Sequence, residues 1–433
     1  MRTIQARWVF PATSPPIPDG QVSIAAGKIV RVGGADPAYP VDLDLGAAAV
    51  IPGFVNAHTH LELGPIPWDE AAGPEDEVEW LGRVIRSRSD WQTWEVDSLI
   101  LENVQQAVRA GTTAIADITT AGRSWSAVAE APVWGTVFAE VLGLSPGRSD
   151  QTFGEASAWL ASLPAAQPGL KTRPGLSPHA PYSTDPWLYQ AAAMRGLPLA
   201  THLGEMPAEH ALLADRGGPL RDFLEDLGAW VEDWQPAGPS PVDYLDFCPA
   251  VAGADWVIAH GNIFDPAEVA RLALVRGEQT TQRIAVAYCP RTHARFGHPP
   301  HPFRAMLAAG LVVCLGTDSL ASTPTLSILD ELRFLRRHHP DVAGETLLRM
   351  ATIHGAWALR HEDQTGSLEP GKSADLVILP QDSPDAADDP HNLWLDDPRP
   401  PLATMFRGAF VAGQSELVRS WSSRLDQGIE PIR

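Results

Sequence analysis

Cysteine is scarce, with only Cys248, Cys289 and Cys314 in 433 residues. Their wide spacing matches neither a disulfide framework nor a CxxC zinc site, so a reducing cytoplasm is the expected compartment. Long apolar runs are missing too, and the opening MRTIQARWVF has no long apolar core or cleavage signal. Neither a membrane span nor an export signal is expected. Positive charge is sparse: 32 Lys and Arg face 53 Asp and Glu, for a formal net charge of −21, with no basic block. Nucleic acid and membrane surfaces are therefore disfavoured as partners. A small-molecule substrate is not, because single arginines can hold an anion inside an acidic protein. No GxGxxG follows the first central apolar run, so the dinucleotide-binding signature is lacking.

What is present is the composition of a globular enzyme, 44% hydrophobic and 20% charged. The length suits one barrel with an accessory unit. Oligomeric state is left open, a homodimer included. Residues 1–51 read as short strands (TIQARWVF, QVSIAAGKIVRVGG, AAVI), and residues 365–433 repeat the theme in GSLEPGKSADLVILP and ATMFRGAFVAG. The two ends are expected to pair as one small β-sandwich. Between them, residues 52–364 alternate β-branched runs with helix-like segments: GFVNAHTH, TTAIADIT, VWGTVFAEVLG, TRPGLSPHA, LATHLGE, WVIAHGN, RIAVAYCP and VVCLGTDS. Eight such units close an α/β fold, a (β/α)8 TIM-like barrel. The Asp- and Pro-rich stretch 382–401 reads as a surface loop.

Nearly every run ends in His, Glu, Asp or Ser, and the C-terminal strand ends form the active-site face of such a barrel. His58 and His60 sit at positions i and i+2 of the first strand, on one side of it, so both imidazoles can reach one ion. His202, His260 and Asp318 close the fifth, sixth and eighth runs. Neutral imidazoles with one carboxylate suit a single divalent metal, Zn2+ first and Fe2+ second.

These segments (PGFVNAHTHLE, THLGE, AHGN and LGTDS, with SLEPGKSADLVIL and ATIHGAWAL on the flank) resemble the deaminase branch of the amidohydrolase superfamily over nearly the whole chain. The resemblance implies His58, His60, His202 and Asp318 as metal ligands, and places His260 beside the bound water or leaving group. It implies one metal rather than two, since SPHAPYS at the fourth strand end carries no bridging Lys. His354 stands where the family often has Asn, read as a structural variation.

Glu205, three residues after His202, is the expected proton carrier. A carboxyl near a metal-activated water can pass a proton to a ring nitrogen when burial raises its pKa. With Asp318 and His260 it completes the expected catalytic set. The expected substrate contacts are His179 in SPHAPYS, Glu62 in HTHLE toward a ribose hydroxyl, Trp80 and Arg88 in WLGRVIRSRSDW, and Ser319 beside Asp318. Arg291 and His293 lie in CPRTHARFGHPPHPF, whose three histidines suggest a rigid substrate loop more than a second zinc site. CPRTH with FGH resembles aminodeoxyfutalosine deaminases, whose substrate joins an adenine nucleoside to a benzoate, and Arg291 would then pair with the carboxylate.

The expected reaction is hydrolytic deamination of an aminated purine nucleoside-like compound, 6-amino-6-deoxyfutalosine leading. The alternatives are adenosine, S-adenosylhomocysteine, guanine or an oxidised purine as substrate, triazine dechlorination, amide hydrolysis, and a non-catalytic scaffold on the same barrel.

Overall fold

The computed structural model describes residues 1–69, 73–164, 170–278, 282–381 and 389–422. Five strands come first: β1 (Arg2–Val9), β2 (Ile17–Ala25), β3 (Lys28–Gly33), β4 (Leu43–Asp44) and β5 (Ala48–Pro52). Eight follow: β6 (Phe54–Thr59), β7 (Thr112–Thr120), β8 (Trp134–Val141), β9 (Thr172–Pro178), β10 (Leu199–Leu203), β11 (Trp256–His260), β12 (Ile284–Tyr288) and β13 (Val312–Leu315). The last three are β14 (Leu376–Pro380), β15 (Ala403–Phe406) and β16 (Ala409–Gly413).

Strands β6 to β13 pair in chain order as one parallel sheet. Each lies inside the apolar run expected to form it, except that β7 extends one residue further, to Thr120. Helices fill the connections, for example Thr93–Arg109 before β7, Pro146–Ser162 before β9 and Pro266–Glu278 before β12. The sheet closes where β6 meets the segment after β13. Thr59 bridges Asp318 in parallel, and the His58 carbonyl accepts the N–H groups of Thr317 and Asp318, both at 3.1 Å. Asn56 clamps the seam, its amide exchanging two hydrogen bonds with Thr317 at 2.8 and 3.1 Å. Barrel closure therefore sets Asp318 directly against the HxH pair.

The second sheet holds eight strands in the order β16-β15-β14-β5-β1-β2-β3, with β4 on β1. Its two chain ends interlock at β5 and β14, which run antiparallel from Leu376 opposite Pro52 to Pro380 opposite Ala48. Side chains alternate between two cores, as strand geometry requires. Ala49, Ile51, Val377 and Leu379 pack with Phe10 and Trp394 toward the barrel. Ala48, Val50, Leu376 and Ile378 pack with Ile4, Val22 and Met405 inside the sandwich. Burial on both faces explains why AAVI and LVIL are apolar without alternation.

Of the stretch read as a surface loop, 382–388 lies outside the described residues. Beyond it, His391–Leu395 is a short helix with Trp394 fully buried against Phe10, ring centroids 6.1 Å apart. That burial makes this part a piece of the core rather than a loop. Among the described residues, no helix is long and apolar enough to cross a membrane. The three cysteines are unpaired.

Candidate active site

Four imidazoles and one carboxylate converge at the C-terminal end of the barrel. His58 and His60 come from the end of β6, His202 from β10, His260 from β11, and Asp318 from the turn after β13. His58, His202 and His260 form one group and His58, His60 and Asp318 another, the ligand atoms of each within 4.8 Å of one another. His60 Nε2 lies 3.0 Å from His202 Nε2, and Asp318 Oδ1 lies 3.7 Å from His58 Nε2 and 3.9 Å from His60 Nε2. Two of these residues are strained: His260 has φ 72° and Asp318 has φ 57°. Left-handed conformations cost non-glycine residues about 1–3 kcal/mol and collect at functional sites.

Donor chemistry fits a cation. His202 Nδ1 donates to the His179 carbonyl at 2.9 Å, which leaves Nε2 as a lone pair aimed inward. Burial pushes the His202 imidazole down to about 4 and holds His58, His60 and His260 well below their usual range, so all four are neutral. Among the described residues, His58 Nε2 and both ring nitrogens of His260 are buried without a hydrogen-bond partner. Buried polar atoms are rarely left so, because each costs about 1–3 kcal/mol. These residues can hold a metal ion.

Glu205 stands beside this group, its Oε1 3.4 Å from His260 Nε2, and Tyr182 donates to its Oε2 at 3.4 Å. Burial, then the nearby Glu77, Asp318 and Glu209 carboxyls, push its pKa well above the carboxylate range. Its segment is pinned by Glu209, which accepts the Glu205 N–H at 3.0 Å, and by Asn262, which donates to the Glu205 carbonyl at 3.0 Å. Asp318 keeps Oδ1 toward the histidines, while Oδ2 accepts from Ser322 Oγ at 2.6 Å.

A cavity of about 520 Å³ opens over these groups. His60, His202, Glu205 and Asp318 line it, as do His179, Trp80 and Arg88. His179 Nδ1 pairs with Ser183 Oγ at 2.5 Å, and burial with the Arg88 charge lowers its imidazole to about 4. Trp80 donates from Nε1 to the Ala321 carbonyl at 3.0 Å, so its ring is a fixed wall.

Four expected contacts lie elsewhere. Glu62 faces a neighbouring hollow, where Arg88 Nη2, Thr119 Oγ1 and Thr120 Oγ1 already donate to it at 2.6 to 2.7 Å. Arg291 is turned away from the cavity. Its Nε donates to the fully buried Glu331 at 2.6 Å and its Nη atoms to Thr325 at 2.9 and 2.6 Å, which leaves its fork no room for a substrate carboxylate. His293 donates to the Pro299 carbonyl at 3.0 Å, inside its own loop. Ser319 is fully buried, with its Oγ lacking a partner, and lies behind the cavity lining. None of these four is among the residues that line the cavity.

The chain matches the amidohydrolase family over residues 49–411. The chain belongs to the amidohydrolase family. With it, the protein is a hydrolase acting on carbon–nitrogen bonds. Among its relatives is an aminodeoxyfutalosine deaminase of Deinococcus radiodurans, 32% identical over 333 residues, 73% of this chain and 75% of that protein. A 5-methylthioadenosine/S-adenosylhomocysteine deaminase of Pelotomaculum thermopropionicum is 28% identical over 385 residues, 83% of this chain and 80% of that protein. In fold, the chain is similar to the aminofutalosine deaminase of Helicobacter pylori in complex with methylthio-coformycin. The TM-score is 0.82 at 22% identity, covering 95% of this chain and 100% of that one.

In this amidohydrolase the sequence reading passed over several cavity residues. Glu140, next to last in β8, lines the cavity; an acid inside an apolar run was signal enough to find it. Tyr182 lies in the SPHAPYS segment already singled out for His179. Arg148 also lines the cavity, from the helix Pro146–Ser162. Leu81, Val84, Phe223, Leu227 and Trp230 make the outer wall apolar. Nothing local marks these, because they meet only through packing between the helices Glu77–Asp90 and Pro219–Asp226. His354 Nδ1 donates to the Val313 carbonyl at 2.9 Å.

Proposed function

We propose that this amidohydrolase deaminates a purine nucleoside-like compound carrying an apolar, anionic arm, with 6-amino-6-deoxyfutalosine as the leading substrate. One observation carries the reading: a single cavity joins the neutral histidine and carboxylate cluster to an apolar wall and to two guanidiniums, Arg88 and Arg148. An aminated ring would sit at the cluster, an aromatic arm against Trp230 and Leu227, and a carboxylate at the arginines. The deaminases among the relatives support the same chemistry.

His58, His60, His202 and Asp318 would hold one divalent ion, Zn2+ before Fe2+, which supplies a water nucleophile at neutral pH. Glu205, kept protonated by burial, gives its proton to the ring nitrogen next to the amine-bearing carbon as water adds to that carbon. Asp318 takes a proton from the adding water and passes it to the departing amine, so that the C–N bond breaks to release ammonia, while the hydroxyl proton left on the ring carbon returns to Glu205 and His260 faces the tetrahedral centre. His179 and Trp80 position the ring. The three unpaired cysteines fit a cytoplasmic enzyme.

Ammonia release from a panel of adenosine, methylthioadenosine, S-adenosylhomocysteine and 6-amino-6-deoxyfutalosine, on protein of measured metal content, tests the reading. Release is expected, strongest with the carboxylated compound; none at all from metal-loaded protein would overturn the proposal. Glu205→Gln should lower kcat by about 10²–10⁴-fold with metal content unchanged. Arg148→Ala should raise KM for carboxylated nucleosides only.

A further inference from the structure

The histidine-rich segment after β12 has no place in the scheme above. Among the described residues, His293, His298 and His301 form no metal-holding group. Yet one of them touches the site from behind. The geometry points to His301 as a positioning residue that aims the His260 imidazole, an inference that rests on the role given to His260 above.

His260 is the last residue of β11, and there the backbone turns left-handed, at φ 72°, followed by Gly261 at φ 64°. A non-glycine residue stays in that region only when its surroundings hold it. The His260 ring cannot hold itself, since neither nitrogen has a hydrogen-bond partner. Its neighbours are the His58 and His202 rings, 5.3 and 5.5 Å away between centroids, and the Glu205 carboxyl. The direction of the imidazole is therefore inherited from the main chain.

His301 grips that main chain. Its Nε2 donates to the His260 carbonyl at 2.8 Å, and its Nδ1 accepts the Phe303 N–H at 3.0 Å. The second bond fixes the tautomer, with the lone pair on Nδ1 and the hydrogen on Nε2. The ring lies flat on Tyr288, centroids 3.7 Å apart and planes 20° apart. Tyr288 ends β12, and its carbonyl accepts the Gly316 N–H at 2.9 Å. Prolines 299, 300 and 302 stiffen the segment on both sides of His301. A donor of settled tautomer, stacked on a barrel strand and flanked by prolines, thus meets the carbonyl of a residue held in the left-handed region.

The test compares His301→Phe, which keeps the stack and loses the donor, with His301→Gln, which retains an N–H donor and an acceptor. The Phe variant should lose about 10–100-fold in kcat, the range typical for supports of a metal-site residue, with KM and bound metal near the parent values. The Gln variant should recover most of that loss. In a His260→Ala background the Phe change should cost less than about twofold more. In a crystal structure of the Phe variant, His260 should leave the left-handed region or swing its ring from Glu205. An unmoved His260 in that structure would overturn the inference, as would equal losses with and without the His260 ring. If the parent enzyme released no ammonia from any purine, the proposed function would fail, and the crystal structure would still decide this point.

Discussion

Two groups of histidines crowd the same end of the barrel, and they are built in opposite ways. In the first, His58, His60, His202 and His260 each turn a ring nitrogen toward a common centre, and His58 Nε2 and the His260 nitrogens have no hydrogen-bond partner among the described residues. In the second, His293 bonds the Pro299 carbonyl, His298 the Glu77 carboxyl at 2.9 Å, and His301 the His260 carbonyl and Phe303 N–H. Both groups are dense and buried, so neither density nor burial marks a ligand site. What marks it is that donor atoms of several residues converge within reach of one ion, some of them without a protein partner.

The strongest way to break this contrast is to remove one member from each group. His202→Ala should abolish stoichiometric metal, weakening affinity by more than the roughly 10–100-fold cost of losing a supporting hydrogen bond. His293→Ala should leave metal content at the parent value. Elemental analysis of the dialysed proteins reads both, and equal loss of metal would erase the distinction.

A second substitution sharpens the reading of the segment after β12 as internally satisfied. Arg291→Ala leaves the buried Glu331 carboxylate without its cation, a change of about 3–5 kcal/mol in stability. Denaturant unfolding should show that loss, while the ratio of KM for carboxylated and uncarboxylated nucleosides stays put. A selective rise in KM for the carboxylated compound would return Arg291 to the substrate.

The smallest effect concerns a buried histidine outside both groups. His361 is fully buried, near Thr136 Oγ1 and the Gly135 carbonyl, and burial, then the Arg173 charge, lowers its imidazole from 6.5 to about 4. Between those values the unfolded chain binds a proton that the folded chain does not. Its contribution to stability is therefore complete above pH 6.5 and declines as pH falls toward 4, by up to about 1.4 kcal/mol per pH unit. Unfolding curves of His361→Phe over this range should show a slope shallower by one proton; an unchanged slope would mean that His361 titrates alike in both states.

Much of the architecture was legible before any coordinates. Seven of the eight barrel strands lie within their apolar runs and β7 overruns its own by one residue, and His58, His60, His202, His260, Glu205 and Asp318 stand at or just beyond strand ends, as a polar residue closing a buried strand must. The substrate side was less legible. Glu62 lies two residues beyond His60, yet the last two threonines of β7 and Arg88 surround its carboxylate. Arg291 looked available because its partner Glu331 lies 40 residues away in sequence. The left-handed turns at His260 and Asp318 had no marker either, since neither is glycine.

The order of the strands, the kinds of donor they carry, and the end of the barrel where those donors gather were all determined by the amino-acid sequence alone. Alternation and the limits of an apolar run are local properties of a chain. Which donors would find partners inside the protein, and which would be left facing one another across a cavity, was decided only by tertiary structure. Satisfying a buried polar atom takes a second atom about 3 Å away, and in this protein that atom sits on a different element of the fold.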